Sequence, residues 1–252
     1  MHNLFEVQLT DKIVLITGSS KRIGAAIVRL LHANGMKIAL HYHNSQAAAK
    51  DLQLELNEQR PESVMLLSGN IRDLTQLDKI IKQVIENYGR LDVLINNASS
   101  FYPTPIKQVT EGDWDELLGT NLKAPFFLCQ AAAPYLQKTY GCVVNLADIH
   151  ALRPLKTHSV YSIAKAGLIM LTKTLANELG PQVRVNAIAP GAIMWPDNDI
   201  DDTTKQQIIA NIALKRHGDA QDIAKTVLFL IRDAKYITGQ IIAVDGGRTL
   251  HQ

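Results

Sequence analysis

KIVLITGSSKRIG, residues 12 to 24, decides the fold. A continuous apolar run gives way to Gly18, a polar loop and Gly24, and an amphipathic segment follows. An apolar run without alternation suits a strand buried on both faces. Gly18 permits a tight turn, and Gly24 lets a helix pack closely on the strand. The amides at the helix start can then hold a pyrophosphate. The candidate contacts are Gly18, Ser20, Lys21, Arg22, Ile23 and Gly24. The middle position of such loops, often Gly, is Arg22, beside Lys21. Two cations at a helix start oppose its dipole unless an anion lies nearby. They are a solvated pair or the partners of a bound phosphate.

The same alternation continues along the chain. Apolar runs recur as KIALHYH, SVMLLSG, LDVLINN, CVVNLA, VRVNAIA and QIIAVDG. Helical patterns lie between them, over 23–34, 45–60, 75–88, 112–138, 159–179 and 220–233. This βαβ order predicts one Rossmann-type α/β domain over residues 1–252, a doubly wound parallel sheet of about seven strands with helices on both faces. Ligands of such sheets bind beyond the carboxyl ends of the strands, so the informative residues follow each strand.

Composition narrows the class of partner. The formal net charge of +2 is nearly balanced and argues against a nucleic-acid or membrane surface. No apolar run is long enough to span a membrane, and MHNLFEVQLTDK is neither a signal nor a transit peptide. The two cysteines, Cys129 and Cys142, lack metal-ligand spacing and read as reduced core thiols, so no metal is expected. A cytoplasmic protein is expected.

After the second strand stands HYHNS, residues 41 to 45. An NAD site would place an acid there for the ribose hydroxyls, and none is present. His43, Asn44 and Ser45, with Lys21 and Arg22, suit a 2′-phosphate, so NADPH is expected. Ser45 also reads as a helix N-cap. After the third strand, Asn70 is either an adenine partner, with Ile71 against the ring, or an ordinary turn residue. After the fourth, Asn97, Ala98 and Ser99 lie where the backbone passes close to a ligand. Asn-Asn is also common turn chemistry.

One further pattern carries chemistry. Tyr161 and Lys165, in YSIAK, fall one helical turn apart on the same face. That suits a phenolic acid with an ammonium beside it.

Taken together, TGSSKRIG, NNAS, Asn121, YSIAK and the PG of APGAI resemble the short-chain dehydrogenase/reductase family, along essentially the whole chain. The resemblance implies a nicotinamide cofactor and commonly a homotetramer. It makes Asn121, Tyr161 and Lys165 catalytic, with Asn121 in a proton relay through a bound water and Lys165 on the nicotinamide ribose. Pro190, Gly191 and Ile193 also fall at the cofactor. In most of the wider family, the residue thirteen before the tyrosine is a serine; here it is Asp148. Together with NNASSFYPTP, HYHxS and AKYITG, this aspartate is similar to the pteridine reductases. The dihydromonapterin reductases share the loop arginine and the aspartate.

That narrower resemblance implies a pterin or folate substrate. Phe101 would sandwich the ring against the nicotinamide, Arg22 would reach pterin O4 or N5, and Ser99 would bond the amino-pyrimidine edge. Reduction of a C=N bond requires a proton on ring nitrogen. Asp148 and Tyr161 are read as one coupled donor, with Lys165 expected to lower the phenol's pKa. Without the resemblance, Asp148 reads as an N-cap and Phe101 as a loop aromatic. His150 and His158 are read as bystanders. Asn44 stands where pteridine reductases often carry a cation, and no Thr stands near Met194 to hold the carboxamide, a task left to the backbone at Ile193. The acidic segment with Asp197, Asp199, Asp201 and Asp202 is read as a mobile lid, with Trp195 as a wall of the substrate site. Its charge disfavours a polyanionic tail. Two other readings stand beside a pteridine reductase: a carbonyl reductase of 3-ketoacyl thioesters, and a non-catalytic NADPH sensor or scaffold.

Overall fold

The computed structural model describes residues 9–194 and 201–250. Seven parallel strands form one sheet in the order β3-β2-β1-β4-β5-β6-β7. They are β1 (Ile13–Ile16), β2 (Lys37–Tyr42), β3 (Val64–Ser68), β4 (Val93–Asn96), β5 (Cys142–Leu146), β6 (Arg184–Pro190) and β7 (Ile241–Val244). The strand order reverses between β1 and β4, which opens a crevice at their carboxyl ends.

The helices are α1 (Arg22–Ala33), α2 (Gln46–Gln59), α3 (Leu74–Tyr88), α4 (Glu111–Leu118), α5 (Ala124–Thr139), α6 (Ser159–Glu178), α7 (Asp202–Ala210) and α8 (Ala220–Arg232). Successive residues of β1 alternate between two cores. Val14 and Ile16 pack with α1, α2 and α8, while Ile13 and Leu15 pack with α3, α5 and α6. Both faces of the strand are therefore apolar, and each fully buried aliphatic side chain contributes about 1.5–3 kcal/mol of burial.

Two segments differ from the sequence expectation. The single helix expected over 112–138 is two helices joined by a π-helical turn, Gly119–Lys123. Pro125 has no N–H to give the Asn121 carbonyl, so the α-ladder cannot run through this point. Part of the segment read as a lid forms helix α7. Asp201 caps it, accepting bonds from the backbone N–H and the hydroxyl of Thr204.

Candidate active site

Two adjoining cavities open at the carboxyl ends of the strands. The larger, about 590 Å³, is lined by the β1–α1 loop with Ser20, Lys21, Arg22 and Ile23. The end of β2 contributes His43, Asn44 and Ser45, and Asn70 and Ile71 follow β3. The smaller, about 270 Å³, brings together Phe101, Asp148, Tyr161, Lys165, Pro190, Gly191 and Ile193. Arg22, Ile23, Asn97 and Ser99 line both, which makes one continuous surface.

Gly18 adopts φ +58°, and a Cβ there would meet the Ala98 Cα at 2.8 Å. A Cβ on Gly24 would stand 2.6 Å from the Ser19 Cα. The Asn97 carboxamide donates to the Thr17 and Gly18 carbonyls at 2.9 and 2.8 Å, so its side chain holds the loop and is turned away from any ligand. Thr17, which the sequence reading left unassigned, accepts the Asn97 and Ala98 amides on its hydroxyl, each at 3.0 Å. Arg22 sits at φ 52°, in the left-handed region that costs a side-chain-bearing residue about 1 kcal/mol. Such strain persists where the side chain has a task.

These residues fit a phosphorylated dinucleotide. The first turn of α1 holds no acid and its cap is Lys21, so the positive end of the helix is left to an outside anion. Ser45 occupies the N-cap position of α2 but makes no capping bond with its side chain, so its hydroxyl is not used in capping. No carboxylate stands among Tyr42, His43, Asn44 and Ser45 on the cavity wall. The turn reading of Asn70 is met, since Oδ1 accepts the Arg72 amide, and the residue also lines the cavity.

At the smaller cavity, α6 presents Tyr161 and Lys165. The Tyr161 hydroxyl donates to Asp148 Oδ2 at 2.7 Å. Asp148 Oδ1 accepts the His150 amide at 2.8 Å and caps a short 3₁₀ turn, Ile149–Ala151. The N-cap reading of Asp148 is therefore met by one oxygen, and the other holds the Tyr161 hydroxyl. Lys165 is fully buried, donates to the Leu146 carbonyl at 2.8 Å, and lies 5.7 Å from the Tyr161 ring centre. Burial pushes its ammonium down to about 8, against the pull of Asp148. The phenol is held well above its ordinary value, first by burial and then by the charge of Asp148 and the bond to it. The expected lowering of the phenol by Lys165 thus does not prevail. A dry site beside a carboxylate disfavours the phenolate and leaves the phenol raised.

Asn121 is 1 % exposed on the π-turn. Its amide donates to the Ser100 and Leu117 carbonyls, each at 2.9 Å, and its Oδ1 accepts the Ser99 hydroxyl at 2.6 Å. The carboxamide fixes the loop after β4. The Ser99 oxygen keeps its lone pairs for a donor such as an amino group. Phe101 packs edge-on against Tyr161, with ring centres 4.8 Å apart. His158, set aside in the sequence reading, stacks on Phe101; no spacing signal marked it, because the pairing joins two distant loops. Trp195, Asp197 and Asp199 lie outside the described residues. Among the described residues, no helix is long and apolar enough to cross a membrane.

The family model described as Enoyl-(Acyl carrier protein) reductase matches residues 18–249. The chain belongs to the short-chain dehydrogenase/reductase family. It is an oxidoreductase of that family, whose reductases use a nicotinamide cofactor, and Tyr161 and Lys165 both stand on α6. Among curated short-chain reductases it is 37% identical to the 3-oxoacyl-(acyl-carrier-protein) reductase FabG of Staphylococcus epidermidis, over 94% of this chain and 98% of that one. It is 33% identical to pteridine reductase 1 of Leishmania tarentolae, over 96% of this chain and 97% of that one. FabG of Thermotoga maritima is also 33% identical, over 96% of this chain and 99% of that one.

Proposed function

We propose that this short-chain reductase is a pteridine reductase that transfers hydride from NADPH to a dihydropterin, with oxidised pterin and dihydrofolate as further substrates of the same chemistry. The observation that carries the reading is the 2.7 Å bond from Tyr161 Oη to Asp148 Oδ2. A carbonyl becomes an oxyanion as hydride arrives and needs donors around it. A carboxylate only accepts, and its charge repels that oxyanion. A ring nitrogen beside the reduced carbon needs a proton instead. Tyr161 Oη gives its proton to the ring nitrogen, and Asp148 then takes a proton from solvent water and passes it to the phenolate, which restores both groups.

NADPH, when bound, supplies the hydride. Lys165 holds the nicotinamide ribose, the backbone at Ile193 the carboxamide, and Arg22, Lys21, His43, Asn44 and Ser45 the phosphates. Phe101 covers one face of the pterin ring, Ser99 accepts from its amino group, and Arg22 reaches its O4 or N5. Asn121 fixes Ser99 and relays protons towards Lys165. The exposed apolar side chains of Phe126 on α5 and of Ile163 and Met170 on α6 support a homotetramer. We place the protein in the cytoplasm.

The identity to 3-oxoacyl-(acyl-carrier-protein) reductases favours a second reading, reduction of a 3-ketoacyl thioester. The deciding assay is NADPH oxidation with dihydrobiopterin, dihydromonapterin, dihydrofolate and an acetoacetyl thioester side by side. Turnover confined to the pteridines is expected. Turnover of the thioester alone would replace the first reading with the second.

A further inference from the structure

His41 lies on β2 and is 1 % exposed, although it borders the larger cavity. Both ring nitrogens are bonded to backbone, on two different loops. Nδ1 accepts the Gly18 amide at 3.2 Å, and Nε2 lies 3.1 Å from the Gly69 carbonyl. An amide only donates and a carbonyl only accepts, so one tautomer alone satisfies both partners: Nδ1 bare, Nε2 protonated. The backbone adds two parallel links. The Ser19 amide donates to the His41 carbonyl at 3.0 Å, and the Gly69 amide to the Tyr42 carbonyl at 3.1 Å.

Gly18 opens the loop that faces the pyrophosphate, and Gly69 precedes Asn70 and Ile71, which face the adenine. A single buried ring therefore spans the two loops. We infer that His41 is a positioning residue of the dinucleotide site: as a neutral, Nε2-protonated imidazole it sets the Gly18 amide and the Gly69 carbonyl, and so holds the pyrophosphate loop and the adenine loop in register. The sequence pattern pointed past it, to His43, Asn44 and Ser45. Burial opposes the imidazolium and carries the ring's ionisation down to about 4, with His43 adding a smaller push in the same direction. A protonated ring would set an N–H against the Gly18 N–H. The inference concerns the NADPH site alone and is independent of which substrate is reduced.

The test measures binding, with NADPH and NADH titrated by fluorescence against folded protein. The 2′-phosphate distinguishes the two cofactors, but His41 acts on the pyrophosphate and adenine loops that both share. His41→Leu removes both bonds and weakens NADPH and NADH alike, by about ten-fold. His41→Asn places an amide oxygen at the reach of Nδ1, keeps the Gly18 bond, and restores affinity to within about three-fold of wild type. His43→Ala, as the contrast, loses NADPH affinity and leaves NADH. Nitrogen-15 NMR of the unsubstituted protein at pH 7 shows Nδ1 of His41 unprotonated, a readout that needs no variant to fold. Four results would overturn the inference. These are wild-type affinity in His41→Leu, a loss confined to NADPH, equal loss in the Leu and Asn variants, or a proton on Nδ1.

Discussion

The imidazole of His158 lies parallel to the ring of Phe101, with centres 4.7 Å apart and planes 15° from coincidence. His158 is the N-cap residue of α6, one turn before Tyr161, which meets the same phenylalanine edge-on. One face of Phe101 is covered by protein, so an incoming ring has the other face alone. Phe101→Ala should raise the pterin KM about ten-fold, the worth of a lost ring stack, and leave the NADPH Kd unchanged. His158→Ala should raise KM less, and His158→Phe should restore it. Steady-state kinetics with saturating NADPH checks both. A fall in KM for His158→Ala would mean that the imidazole occupies the substrate's place.

Asp148→Ser keeps a side chain able to cap the Ile149–Ala151 turn and removes the carboxylate from Tyr161. Pterin turnover should fall by about a hundred-fold or more, with NADPH binding within about three-fold of wild type. Stopped-flow reduction beside a fluorescence titration separates the two. Equal loss of both would remove Asp148 from the chemistry.

Lys165 gives activity and stability opposite responses to alkali. Its ammonium titrates near 8 in the folded protein, against 10.5 for the ordinary side chain. As pH rises through about 8 the charge proposed to hold the ribose is lost, and kcat/KM should fall. Over the same window the unfolded chain binds more protons than the folded one, so folding stability gains. The gain is complete above about 10.5 and is lost as pH falls through about 8. Urea titrations of wild type and Lys165→Met should diverge most at neutral pH and converge in alkali.

Arg22→Gly relieves the φ of 52° at the start of α1. Urea stability should match or exceed wild type, by up to about 1 kcal/mol, while NADPH affinity falls. A variant that loses stability and keeps affinity would show that the arginine serves the fold.

The strands, α1 and the Tyr161–Lys165 pair were legible because each follows from a local rule: an apolar run between polar ends, or a spacing of one turn. The break at Gly119–Lys123 was hidden inside an amphipathic run that reads through it, and only Pro125 marked the point. Asn97 stands after β4 on the cavity wall, where the sequence put it, but the direction of its carboxamide, into the Thr17–Gly18 backbone, depends on β1 and β4 being neighbours. The raised ionisation of Tyr161 was misjudged for a similar reason. Spacing shows which charges meet, whereas burial, the first cause here, belongs to the packed core.

Asp148 divides its two oxygens between a backbone amide and a phenol. The first bond can be made by any small polar side chain; the second, on the proposed reading, bears on which kind of atom the site protonates. Exchange at this position would then leave the scaffold standing while it changes the reaction. A lineage built on this sheet would have a short mutational route between substrates protonated on oxygen and substrates protonated on nitrogen, with no unfolded ancestor on the way.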